Sequence, residues 1–134
     1  MNFIPDLQPG QIVGLDCQNT CLYAEVIQVV TQRQMCWVRP LMLVESDHQG
    51  EDLEPSQILS DLRQGSDLIL PSSLFRVALD TEVIPLLMQL EANQVKATIA
   101  TSAHQHMQAF IRRVWQATPQ VFKTVRSQTN EIQS

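Results

Sequence analysis

Five carboxylates and a histidine crowd one short stretch, Glu45-Ser46-Asp47-His48-Gln49-Gly50-Glu51-Asp52-Leu53-Glu54. Oxygen-rich clusters of this kind are what hard cations prefer. Set against a calcium-binding loop with Glu45 first, Asp47 takes the third position and Gly50 the sixth, as such a loop requires. The pattern then breaks. The fifth position is Gln49, and the twelfth, where a bidentate carboxylate is needed, is Ser56. Glu45, Asp47, His48, Glu51, Asp52 and Glu54 are therefore expected to form a solvated acidic loop that offers a docking surface to a basic partner, with no metal or other cofactor.

The other reactive side chains do not assemble into a motif. His104 and His106 flank Gln105 in a helical stretch, and residues two apart on a helix point in different directions, so they cannot grip one ion as an i, i+4 pair does. Cys17, Cys21 and Cys36 are an odd number, which leaves a thiol over from any complete disulfide framework and provides only one loose pair toward a zinc site. Their expected fate is burial as small apolar groups in a reducing compartment. Ser72 and Ser73 have no accompanying nucleophile motif, so catalysis is not expected. Arg112-Arg113 beside Trp115, with Lys123 and Arg126 beyond, is the best nucleic-acid signal, because basic groups neutralise phosphates and an exposed indole stacks on bases. Trp115 falls on an apolar helical stripe, however, and Trp37 within a strand; both are expected in the core.

Charge is segregated along the chain. Residues 1–92 carry thirteen acids against four bases, whereas residues 93–134 carry five bases against Glu131 alone, and the whole has a net charge of −5. An acidic head and a basic tail region follow. No apolar run approaches the roughly 20 residues that span a bilayer. The opening Met1-Asn2-Phe3-Ile4-Pro5-Asp6 lacks the basic start and apolar stretch of a signal peptide, so the expected location is cytoplasmic.

The elements that must position these groups can be read from periodicity. Pro9-Gly10 opens a β-rich half. Val13, Leu15 and Cys17 alternate on one face of a first strand; Leu22 to Val30 and Met35 to Val44 form a hairpin around Thr31-Gln32-Arg33; and Ile58 to Leu62 and Asp67 to Leu70 give two more strands. Pro40 has no amide proton, so the third strand must be an edge there, or bulge or bend at Arg39-Pro40. Pro71 to Phe75 suits a single 3₁₀ turn. From Asp80 the period becomes helical through Val83, Leu86, Leu87 and Leu90, with the helix starting at Asp80 or at Pro85. A longer helix follows through Val95, Ile99, Ala103, Met107, Phe110, Ile111 and Val114 to a stop at Thr118-Pro119. A third, short helix starting at Pro119 would carry Val121, Phe122 and Val125.

The expected architecture is α+β: a five-stranded antiparallel barrel or sheet over residues 1–78, then two or three helices over 79–134 packed on it as one unit. The order of segments, a meander with a bent third strand, two short strands and a 3₁₀ turn, is similar to small SH3-like barrels. The layout of the chain, with runs such as Cys36-Trp37-Val38-Arg39-Pro40-Leu41, resembles that of small proteins from cyanobacterial genomes and implies no activity. The expected role is a non-catalytic protein–protein interaction module, an accessory, assembly or regulatory factor for a larger complex. Its contacts would be the 45–56 loop with Arg39 and the basic pair Arg112 and Arg113, with a homodimer as one arrangement. The alternative is a nucleic-acid-binding small barrel using Arg112, Arg113, Lys123 and Arg126.

Overall fold

The computed structural model describes residues 6–45, 57–92 and 100–120. Six strands precede two helices: β1 Ile12–Cys17, β2 Thr20–Val30, β3 Met35–Glu45, β4 Gln57–Asp61, β5 Leu68–Pro71, β6 Arg76–Val77, α1 Asp80–Ala92 and α2 Ala100–Ala117. All pairings are antiparallel, in the order β4-β3-β2-β1-β6, with β5 also on β3. The path does not close, so of the two expected forms, barrel or sheet, the protein adopts an open sheet. The two-residue strand β6 is the sixth strand that periodicity missed, being too short to show any alternation.

Proline explains the shape of β3. Its first half, Met35 to Val38, pairs with β5, and its second half, Met42 to Glu45, pairs with β4. Pro40 lies between them, where the outer edge of β3 has no partner strand among the described residues and a missing amide proton costs no ladder bond. The register against β2 shifts at the same place, between Tyr23 and Ala24, which is the irregularity the sequence required at Arg39-Pro40. At the tip of this hairpin Thr31–Arg33 makes a 3₁₀ turn closed by Gln34 in the left-handed region at φ 55°. The β1–β2 turn likewise places Gln18 at φ 55°.

Each face of the sheet has its own apolar core. On one, Val13, Leu15, Leu22, Ala24, Val26, Cys36, Val38 and Leu43 meet Ala103, Met107, Phe110 and Val114, the inward stripe of α2. On the other, Cys21, Tyr23, Met42 and Val44 meet Val83, Leu86 and Leu90 of α1. β2 is consequently buried on both sides from Thr20 to Ala24 and alternates only beyond that point. Helix α1 starts at Asp80 and runs on through the exposed Pro85. Helix α2 ends where Thr118 turns its amide and its hydroxyl onto the Val114 carbonyl, at 2.9 and 2.7 Å, just before Pro119. No helix among the described residues is long and apolar enough to cross a membrane.

Candidate protein-interaction surface

Helix α1 lies across the strands near one end of the sheet only. Its start is tied to the β6–β1 side, where the Ala78 amide donates to the Ile12 carbonyl at 3.0 Å and Glu82 meets Arg76. Its far end is tied near β4 through Glu91 and Arg63 at 2.9 Å. The opposite end of the same face carries no covering element among the described residues.

Alternation decides which side chains stand on that bare end. Cys36, Val38 and Leu70 turn into the α2-side core and Val29 packs against it, so their neighbours Gln28, Trp37, Arg39 and Ile69 turn the other way. Trp37 sits directly opposite Ile69 on one side and Gln28 on the other, and Val30 is paired with the half-buried Met35. Trp37 is 37% exposed, Ile69 61% and Val30 36%. The indole is held in place: its N–H donates to Asp67 Oδ2 at 3.0 Å, while Arg39 Nε approaches Asp67 Oδ1 at 3.4 Å. One carboxylate thus fixes an aromatic and a guanidinium beside two exposed aliphatics. Tryptophan and arginine dominate binding hot spots, and contiguous exposed apolar surface marks interaction sites.

A second exposed apolar surface belongs to α1. Its inward positions are Val83, Leu86 and Leu90, yet Ile84 and Met88 remain 51% and 68% exposed, as does Leu79 just before the helix at 66%. The helix is therefore apolar on both sides, which for a surface helix signals an uncovered face.

Between α1 and β1 lies a dense polar group. Arg76 donates to Asp16 and, at 2.8 Å, to Glu82 Oε1; Glu82 Oε2 accepts from the Tyr23 hydroxyl at 2.7 Å; and the Leu79 amide donates to Glu82 Oε1 at 2.8 Å, capping the helix. Gly14 makes room for this arrangement, since a Cβ there would meet Cys21 Sγ at 3.2 Å and Arg76 Cζ at 3.3 Å. Burial opposes ionisation of Glu82, but the hydrogen bonds from Arg76, Leu79 and Tyr23 outweigh it and hold the carboxyl down to about 2. Burial, reinforced by Asp16, pushes the Cys21 thiol up to about 12. Burial, with the bond to Glu82, raises Tyr23 as well. A thiol kept protonated in this way is a packing group rather than a nucleophile.

Cys17, Cys21 and Cys36 are all buried and unpaired with one another. His106 is exposed on α2 but its Nδ1 shares a hydrogen bond with Ser60 Oγ of β4, a contact the two-residue spacing of His104 and His106 could not reveal. Ser60 is 1% exposed, so its hydroxyl is out of reach of a substrate, and the pair ties α2 to the sheet. Among the described residues no group of three histidine, cysteine or acidic side chains is placed to hold a metal ion.

Of the residues singled out from the sequence, Arg39 joins the Trp37 surface, and Glu45 is exposed at the end of β3. Asp47, His48, Glu51, Asp52, Glu54, Lys123 and Arg126 lie outside the described residues. Arg112 and Arg113 are exposed on α2, on the other side of the sheet from Trp37. Arg113 stands 5.8 Å from the centre of the Phe110 ring. The expectation that both tryptophans are core is corrected. Trp115 is 48% exposed because Met107, Phe110 and Val114 fill the inward stripe, and Trp37 is exposed because α1 stops short of it. No family model matches the chain, and neither a curated protein nor a solved structure is significantly similar to it.

Proposed function

We propose that the protein is a non-catalytic protein–protein interaction module, an accessory, assembly or regulatory factor, and that it binds through the bare end of the α1 side of the sheet. The observation that carries this reading is Trp37, half-exposed and fixed by Asp67 beside Ile69 and Val30. A pinned aromatic gives contact area with little ordering cost on binding. The outer edges of β4, β5 and β6 are poorly suited to adding a strand: β5 ends in Pro71, β4 carries an extra residue at Leu59, and β6 has two residues. Contact through the face is the favoured mode.

The test is capture on immobilised full-length protein from nuclease-treated lysate, comparing the unaltered chain with Trp37→Ala and Ile69→Glu. Loss of a discrete protein set in both variants, with the melting profile by circular dichroism retained, supports the reading; an unchanged set overturns it. The nucleic-acid alternative draws on Trp115, exposed one turn from Arg112. In that case, bound material disappears with nuclease and affinity falls steeply as salt rises.

A further inference from the structure

We propose that the bare sheet end and the outward side of α1 are the two halves of one contact, and that the partner they take is a second copy of this chain. The proposal rests on the interaction reading above and names the occupant of the same surface. Strands β2 and β3 have 11 residues each, a length of about 36 Å at the usual rise, whereas a helix lying across them covers about 10 Å. With α1 at one end, there is room on the same face for one more crossing helix. The molecule itself presents a helix lacking cover, through Ile84 and Met88.

Because that helix and the bare end lie on the same side of the sheet, a single two-fold axis satisfies both at once. α1 of each protomer lies across Val30, Trp37 and Ile69 of its partner, as a self-complementary contact requires. Charge favours this pairing over helix against helix. On α1 the exposed acids are Asp80 and Glu91, of which Glu91 is already held by Arg63, and the helix contains no base. Around the bare end Arg33 and Arg39 are exposed, of which Arg39 is already held by Asp67, while Glu25 is half-buried. Two α1 helices face to face would oppose acid with acid.

The experiment is sedimentation velocity on the full chain from about 1 to about 100 µM, a range that brackets micromolar self-association. It uses the unaltered protein, Ile69→Glu, Met88→Glu and, on the far side of the sheet, Gln116→Glu as a control. All three positions are exposed, and a retained melting profile shows that each variant folds. The expected result is a concentration-dependent shift from 15.2 kDa to twice that mass. Ile69→Glu and Met88→Glu should each weaken it at least about tenfold, since each buries an unpaired carboxylate in the contact, and Gln116→Glu should leave it unchanged. A chain that stays monomeric throughout, or a dimer weakened by only one of the two variants or by neither, overturns the proposal. A monomer that still captures a Trp37-dependent protein set would sink self-association and leave the wider interaction reading standing. A dimer dissolved by both variants with no other protein captured would do the reverse.

Discussion

Replacing Glu82 by glutamine removes the charge that organises the junction of α1 with the sheet. Oε1 accepts from the Leu79 amide and from Arg76 Nη1, both at 2.8 Å; Oε2 accepts from the Tyr23 hydroxyl at 2.7 Å and from Arg76 Nη2 at 3.2 Å. An amide nitrogen can replace neither oxygen without facing a guanidinium N–H. The carboxyl is lowered from 4.5 to about 2, which converts to about 3 kcal/mol at 1.36 kcal/mol per pH unit. The side chain remains 28% exposed, so solvent screening brings the expected cost to about 2 kcal/mol. Because the folded value lies below the unfolded one, this stabilisation is complete above about pH 5 and is lost as pH falls from 4.5 toward 2. Urea titrations of both proteins at pH 7, 5, 4 and 3 should show a gap of about 2 kcal/mol that closes toward acid. Asp61, which Arg63 also holds below the usual carboxylate range, is present in both proteins and cancels in the difference. A gap that does not change with pH, or one below about 0.5 kcal/mol at neutrality, would refute the assignment of Glu82 as the charged anchor.

Three further outcomes follow from the packing. Gly14→Ala should cost about 1 to 2 kcal/mol by chemical denaturation, because the new methyl presses on Cys21 Sγ and Arg76 Cζ; in an Arg76→Ala background the part due to the guanidinium should vanish and the part due to the buried thiol should remain. His106→Ala should destabilise by about 1 to 2 kcal/mol, more than Ser60→Ala, since it leaves the buried serine hydroxyl without its partner. Phe110→Ala, at a fully buried position, should cost about 3 to 5 kcal/mol, whereas Trp37→Ala should cost no more than about 2; equal losses would place Trp37 in the core after all.

The order of elements was legible because each has a strong local signal. Alternation at Val13, Leu15 and Cys17 marked β1. The hairpin around Thr31–Arg33 separated β2 from β3. The stripes Val83, Leu86, Leu90 and Ala103, Met107, Phe110, Val114 marked the helices and named the faces they bury. Pro40 forecast the irregularity at the point where β3 changes neighbours. Closure was not legible, because whether a sheet rolls up depends on which edges meet, and β6 was invisible at two residues. The Glu82, Arg76 and Asp16 cluster spans three elements and the Ser60 and His106 bond spans 46 residues. No local pattern announces either.

The candidate surface was missed for a more instructive reason. A strand buried on both faces loses its alternation, and Thr-Cys-Leu-Tyr-Ala at 20–24 has none. Beyond Glu25 the pattern shifts toward alternation, which places β2 under one helix at one end and under two at the other. Reading β2 as a single uniform strand conceals that change, and with it the point at which α1 stops. The same habit assigns α1 one apolar stripe and leaves Ile84 and Met88 as incidental, and it assigns Trp37 to the core because strand tryptophans are usually there. Taken together, these three departures have one cause: Val30, Trp37, Ile69, Ile84 and Met88 are left over after the intramolecular faces are filled and lie on one side of the sheet, whereas Trp115 stands apart on α2. Leftover apolar residues scattered over a surface are ordinary; gathered on one side, beside an aromatic held by its own hydrogen bond, they are the part of the sequence that folding alone does not use.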